Sequence, residues 1–337
     1  MTEVSALTDG IAGPTSGFPF LDAYLAPLLP VLQRRDVTDI YINAPGEIWV
    51  ESLGGEAQRF DLAELTNECL WRLARQIASF VNQGISREHP LLSAKLPDGS
   101  RVQIVAPPAT KGPMAIAIRR HVMSDLSLSD YTQGGAFGEL HLGSRRNEPD
   151  LPDPNVDPAK YLAAAVRAKL NILVSGGTST GKTTFLNALL KEIPADERII
   201  LIEDTPELVV HHQNSVGLIA AKGQLGEARV DAEDLLQASL RMRPDRIIVG
   251  ELRGSEAYTF LRAVNTGHAG SMTTIHANSA YGAIEQLALI VQVGSNLRRR
   301  DIIEYVHDVV DVFVHLDRQS GQRRISQILR SSDVRRL

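Results

Sequence analysis

The stretch NILVSGGTSTGKTTFLNALL constrains this chain more than any other. Gly176, Gly181, Lys182 and Thr183 fit G-x-x-x-x-G-K-[ST], a spacing that requires a strand running into the first glycine and a helix leaving from the lysine. NILVS is apolar enough for a buried strand, and KTTFLNALLKEI reads as a helix. Glycines let backbone N–H groups close around phosphate oxygens at the positive end of a helix. Ordinary residue usage produces the pattern by accident in about one chain of this length in a hundred, so a nucleotide is the expected ligand. Gly176, Gly177, Thr178, Ser179, Thr180, Gly181, Lys182, Thr183 and Thr184 would wrap its phosphates. Lys182 would neutralise the β- and γ-phosphates, and the Thr183 hydroxyl would ligate Mg²⁺.

What surrounds the loop repeats its pattern. RIILIE, RIIVG and SMTTI are apolar runs, separated by the helical stretches DAEDLLQASLRM and SEAYTFLRAVN. Such strands indicate a mostly parallel sheet covered on both faces, an α/β domain expected over residues 158–337. Asp157 before Pro158 supplies an N-cap and a first-turn proline for YLAAAVRAKL. DVFVHL and RRISQIL, around Asp317 to Gly321, read as an edge hairpin. Residues 143–157, GSRRNEPDLPDPNVD, hold three prolines and nothing periodic to bury, which makes them a linker. Before it, residues 1–142 read as a smaller α+β domain. TDIYIN, IWVE, RVQIV after the Pro97 to Gly99 turn, and AIAIRR are its strands. Leu62, Leu65, Cys69, Leu73, Ile77 and Phe80 form one face of a helix ending near Gly84, with Cys69 in the core.

Two domains suit a chain of 337 residues. A net charge of −5 argues against strong direct nucleic-acid binding. The single cysteine can make neither an internal disulfide nor a four-cysteine metal site, which points to a reducing, cytoplasmic setting. The start lacks a signal-peptide pattern, and no apolar run reaches the length of a membrane span, so membrane contact would be peripheral and through partners.

RIIVGELRG poses a question. Its apolar run should deliver a carboxylate beside the phosphates, yet the next position is Gly250 and the acid, Glu251, comes one residue later. RIILIEDTPEL ends in Glu203, Asp204 and Glu207. Two adjacent parallel strands would bring Glu203 and Glu251 to one carboxyl edge beside the phosphate loop, although helix capping or pairing with Arg253 would also occupy these acids. His268 and His276 admit a metal pair or ordinary core roles, and no nearby cysteine completes a metal set.

Taken together, the phosphate loop, RIILIEDTPE, RIIVGELRG and TGHAGSMTTIHANS resemble, in order and spacing, the phosphate loop, Asp box, Walker B and His box of the secretion ATPase superfamily of type II and type IV secretion and type IV pili. The resemblance extends from about Asp36 to Leu329. It implies a RecA-like carboxy-terminal domain, ATP hydrolysis with Mg²⁺ and a homo-hexameric ring. By it, Glu203 would orient or deprotonate the attacking water, Glu251 would hold Mg²⁺ through water, and His268 and His276 would sense the γ-phosphate region. Arg101 and Arg119 match the places of arginines that the first domain of one subunit brings to a neighbour's nucleotide, with Arg120 as the alternative to Arg119.

LLSAKLPDGSRVQIVAPPA and the compact first domain are most similar to the VirB-type traffic ATPases of type IV secretion, which act with inner-membrane components of the machine. Pilus retraction and tight-adherence pilus ATPases are the neighbouring alternatives. A non-hydrolysing nucleotide switch and a motor tracking nucleic acid are rivals from other classes; two candidate catalytic glutamates oppose the first, and few aromatics oppose the second.

Overall fold

The computed structural model describes residues 17–120, 127–133, 135, 137–138, 149–221 and 227–334. Among these, the amino-terminal half contributes β1 (Val37–Ile42), β2 (Glu47–Ser52), β3 (Gln58–Asp61), β4 (Leu91–Lys95), β5 (Arg101–Val105) and β6 (Ala115–Arg119). They form one antiparallel sheet in the order β3-β2-β1-β6-β5-β4. The sequence reading missed β3 and β4. Both are edge strands, and QRFD and LLSAK carry the polar side chains that edges tolerate.

β1 explains the architecture of this half. Ile40 and Ile42 face a core built with the helices Pro19–Leu25 and Asn67–Phe80, while Tyr41 joins Trp49, Val105, Ala115 and Ala117 in a second core shared with the other half of the chain. The Asn67–Phe80 helix begins later than its apolar spacing suggests. The Thr66 hydroxyl accepts from the backbone of Cys69 (3.2 Å) and caps it, so Leu62 and Leu65 are buried but precede it. Its core face is Leu70, Leu73, Ala74, Ile77 and Ala78. Cys69 is half-buried at the flank rather than in the core, and burial raises its thiol pKa.

The carboxy-terminal half adds β7 (Ile172–Gly176), β8 (Ile199–Glu203), β9 (Ser215–Ile219), β10 (Arg246–Val249), β11 (Met272–Ile275), β12 (Val312–Gln319) and β13 (Gln322–Arg330), in the order β13-β12-β7-β11-β10-β8-β9. β7 to β12 run parallel, and β13 returns antiparallel on β12 through Ser320 and Gly321, both at positive φ (51° and 84°). The hairpin is therefore only half an edge, because β12 lies inside the sheet against β7. β9 and the helices Ala280–Val293 and Arg299–Val309 were not legible beforehand. The Asp157 side chain caps the Pro158–Arg167 helix, accepting from Lys160 N at 3.0 Å. Of the expected linker, residues 143–148 lie outside the described residues; 149–157 contain neither helix nor strand.

The halves are joined on the β8–β9 side. The segment Ala109–Lys111 runs antiparallel along β9, with Ile219 N donating to Ala109 O (2.9 Å) and Lys111 N to Gly217 O (2.8 Å). Beside it, buried Arg198 places its guanidinium 4.0 Å from the Tyr41 ring centroid. The same group donates to Asn43 Oδ1 (2.9 Å), Met242 O (3.0 Å) and Asn214. Burial pulls its pKa down to about 10, still charged at neutral pH. Removing a buried cation that serves several acceptors strands them in a dry site. Arg198→Ala should cost about 3 kcal/mol in denaturant unfolding; a loss under about 1 kcal/mol would show that Arg198 does not hold the joint.

Candidate active site

The carboxyl edge of the parallel sheet collects Lys182, His276, Glu251 and Glu203 of the predicted residues. Inside the sheet, between β12 and β11, β7 feeds the phosphate loop. Gly176 is obligatory there, since a Cβ on it would stand 2.5 Å from Thr180 Oγ1 and 2.6 Å from Leu316 O. Gly181, at φ 92°, turns the chain into the helix Lys182–Leu190, whose first N–H groups have no side-chain cap and are left for a ligand. The Thr180 hydroxyl donates to Gly177 O (2.9 Å) and braces the loop. Thr178, Ser179 and Thr184 are exposed, and Thr183 is half-buried.

Lys182 is 8% exposed. Its ammonium donates to Gly176 O and Gly177 O, both at 3.1 Å, and to His276 Nδ1 at 3.3 Å. Burial lowers its pKa, opposed by the charge of Glu251. Since a lysine only donates, His276 Nδ1 must accept, which leaves the protonated Nε2 facing Glu251 Oε1 at 3.2 Å. Glu251 Oε2 accepts from Arg253 at 2.8 Å, and Arg253 reaches Asp204 at 3.2 Å. A chain of five polar groups thus runs along the ends of β7, β11, β10 and β8. The pairing of Glu251 with Arg253, foreseen as the plainer reading of these acids, is present.

Glu203 differs. It closes β8, next to β10, and is 5% exposed. Its Oε1 accepts from the backbone of Glu207 (2.8 Å) and Leu208 (2.7 Å), whereas Oε2 is buried without a protein partner. Gly250 now has a reason. A Cβ on it would make ordinary contact with Glu203 Cγ at 3.5 Å, so a side-chain carboxylate there would set a second negative charge beside that of Glu203. Glycine leaves one acid in that space and passes the second to Glu251. Glu207 is exposed and contributes to this site its backbone N–H.

These groups fit a nucleoside triphosphate with its metal: a cradle that excludes side chains, a withdrawn ammonium, free helix N–H groups and a buried carboxylate oxygen still able to accept. The comparisons with known proteins agree on the nucleotide. A family model described as Type II/IV secretion system protein matches residues 150–307. Type IV secretion system protein VirB11 of Bartonella henselae is 37% identical over 324 residues, covering 90% of this chain and 91% of the relative. PtlH of Bordetella pertussis is 39% identical, covering 91% and 94%. The crystal structure of the VirB11 ATPase from the Brucella suis type IV secretion system, in complex with sulphate, superposes with a TM-score of 0.85 at 36% identity, covering 95% of this chain and 96% of that one. This chain belongs to the VirB11 family of type IV secretion ATPases. Its enzymatic class is ATP hydrolase.

The expected γ-phosphate sensor His268 is not at the carboxyl edge of the sheet. It precedes β11, whereas His276 follows it, so the two histidines lie at opposite ends of one strand. His268 Nδ1–H donates to Pro244 O at 2.9 Å, just before β10 begins, and its own carbonyl accepts from Ser271 Oγ. It fastens the amino edge of the sheet, and the two rings cannot share a metal.

Arg101 and Arg119 sit directly opposite each other in the β5–β6 pair, both exposed. They line a cavity of about 420 Å³ together with Lys95, Arg241 and Arg243, to which the phosphate loop contributes nothing. Within one chain they therefore do not reach its own Lys182. Arg120 is spent internally, donating to the carbonyls of Arg34 and Val37, which leaves Arg119 as the available one. Arg241 and Arg243 were missed; the signal was RMRPDR, three arginines gathered where a helix ends and a strand begins.

Burial holds the His268 pKa below the usual histidine value. The unfolded chain then binds more protons near pH 6, so the contribution of His268 is full above about pH 6.5 and is lost as pH falls through the lowered folded value. His268→Gln should shrink the drop in Tm between about pH 7.5 and about pH 5.5. An unchanged drop would place the pH sensitivity elsewhere.

Proposed function

We propose that this chain is a motor subunit of a type IV secretion machine, a homo-hexameric ring at the cytoplasmic face of the inner membrane that couples ATP hydrolysis to pilus assembly or substrate passage. Among the described residues no helix is long and apolar enough to cross a membrane, and docking on inner-membrane components of the machine suits that. The observation that carries the catalytic part is the buried, unpartnered Oε2 of Glu203.

Glu203 is the base. With Oε1 pinned by two backbone N–H groups, Oε2 is positioned to accept a hydrogen bond from water and take its proton as the oxygen attacks the γ-phosphate. Lys182 binds the β- and γ-phosphate oxygens, exchanging its loop carbonyls for stronger anionic partners. Each Glu251 oxygen has a second lone pair free beside its protein partner, so it can hold a metal-bound water while remaining oriented by Arg253 and His276. Thr183 and Glu251 would hold Mg²⁺, which when bound supplies neutralising charge to the phosphates. His276, between Lys182 and Glu251, ties the phosphate end of the edge to the acid end. Arg101 and Arg119 act on a neighbour's nucleotide, which makes hydrolysis a change in contact between subunits.

Two measurements test this. Glu203→Gln keeps both backbone contacts through its amide oxygen, so it should bind ATP normally and lose at least about a hundredfold in kcat, while Lys182→Ala should lose nucleotide binding itself; normal turnover in Glu203→Gln would move the base role to Glu251. Native mass with Mg²⁺ and a non-hydrolysable ATP analogue should give six subunits, and a monomer at high concentration would remove the ring.

A further inference from the structure

The β12–β13 hairpin overhangs the phosphate loop. In the parallel register Leu316 is level with Gly176, so the residues from Asp317 onward and their returning partners continue past the end of β7. Their charges are arranged unequally. Asp317 and Arg324 face each other and pair at 2.7 and 2.9 Å. The next pair sets Arg318 directly opposite Arg323, two guanidiniums on one face, an arrangement that destabilises a hairpin. Arg318 Nε finds the Gly321 carbonyl at 3.4 Å. Arg323 is exposed and, among the described residues, has neither hydrogen-bond nor ion-pair partner.

The location of Arg323 is the second observation. Its Cδ lies 3.1 Å from the point a Cβ on Gly181 would occupy, so its stem rests against the last glycine of the loop, at the N-cap of the Lys182–Leu190 helix. That end of a helix carries partial positive charge, and the next residue is Lys182. A third positive source there is unfavourable unless an anion belongs between them.

We propose that Arg323 is a further nucleotide-binding residue, extending from the hairpin onto the α- and β-phosphates held by the loop. This rests on the loop being the nucleotide site. In loops of this kind the backbone N–H groups cradle the α- and β-phosphates while the lysine reaches β and γ, and Arg323 lies at the backbone rather than beside the Lys182 ammonium. A guanidinium suits the task because it stays charged and grips phosphate oxygens in pairs. These two phosphates are common to ATP and ADP, so Arg323 adds binding that is equal in ground and transition states and alters KM rather than kcat.

The test uses the full chain, with equilibrium binding of ADP and of a non-hydrolysable ATP analogue beside steady-state kinetics. Arg323→Ala should raise both dissociation constants and KM by about tenfold with kcat unchanged, and Arg323→Lys should recover part of the loss. Arg324→Ala, which breaks the Asp317 pair in the same hairpin, should bind both nucleotides like the wild type. Wild-type affinity in Arg323→Ala would overturn the proposal. So would an equal loss in Arg324→Ala, which would make the effect one of hairpin shape, or a loss confined to the ATP analogue with a fall in kcat, which would put Arg323 on the γ-phosphate. A wild-type protein that bound neither nucleotide would instead end the reading of the loop itself.

Discussion

An ammonium withdrawn from water is the constraint around which the carboxyl edge is organised. Lys182 cannot be left without acceptors in that position, and the loop bends two of its own carbonyls toward it. What remains of its hydrogen-bonding capacity fixes the tautomer of His276, whose Nε2 faces Glu251, and Glu251 accepts from Arg253, which also reaches Asp204. Each member is satisfied by the next. Glu203 alone stands outside this sequence, held by backbone rather than by charge, and that is what leaves one of its oxygens uncommitted.

Much of this edge could be read from the chain because its chemistry is local. A glycine-rich loop must sit between strand and helix, and an acid that ends an apolar strand must emerge at the strand's end; both follow from spacing alone. Distinguishing His268 from His276 needs more than spacing. They stand eight positions apart, and β11 occupies four of the seven residues between them, so one motif spans both edges of the sheet. Only strand boundaries reveal that. The choice between Arg119 and Arg120 is similar: neighbouring residues on a strand point to opposite faces, and which face is spoken for depends on carbonyls contributed by residues 34 and 37.

What escaped the sequence reading has a common physical character. SVGLI, QRFD and LLSAK are short strands at or near sheet edges, with too few buried positions to impose a period on the text. AYGAIEQLALIVQV is a helix, but apolar on so much of its circumference that the helical period is faint. Arg198 and Tyr41 stand 157 positions apart in the sequence (198 − 41), and nothing in either neighbourhood announces that a buried cation will lie over an aromatic ring. Long-range pairings of this kind are set by how two finished sheets meet, after each has satisfied its own pattern.

The strand-like segment Ala109–Lys111 lends the amino-terminal half to the outer edge of β9, so that the carboxy-terminal sheet is in effect continued by backbone from the other half. Backbone ladders resist shear and rotation far better than a layer of side chains, which can slide and repack. The place where a two-domain chain would ordinarily flex is therefore braced by main-chain hydrogen bonds as well as by packed side chains. A displacement that begins at the phosphate loop of one half would therefore be felt in the other through main chain as well as through side chains.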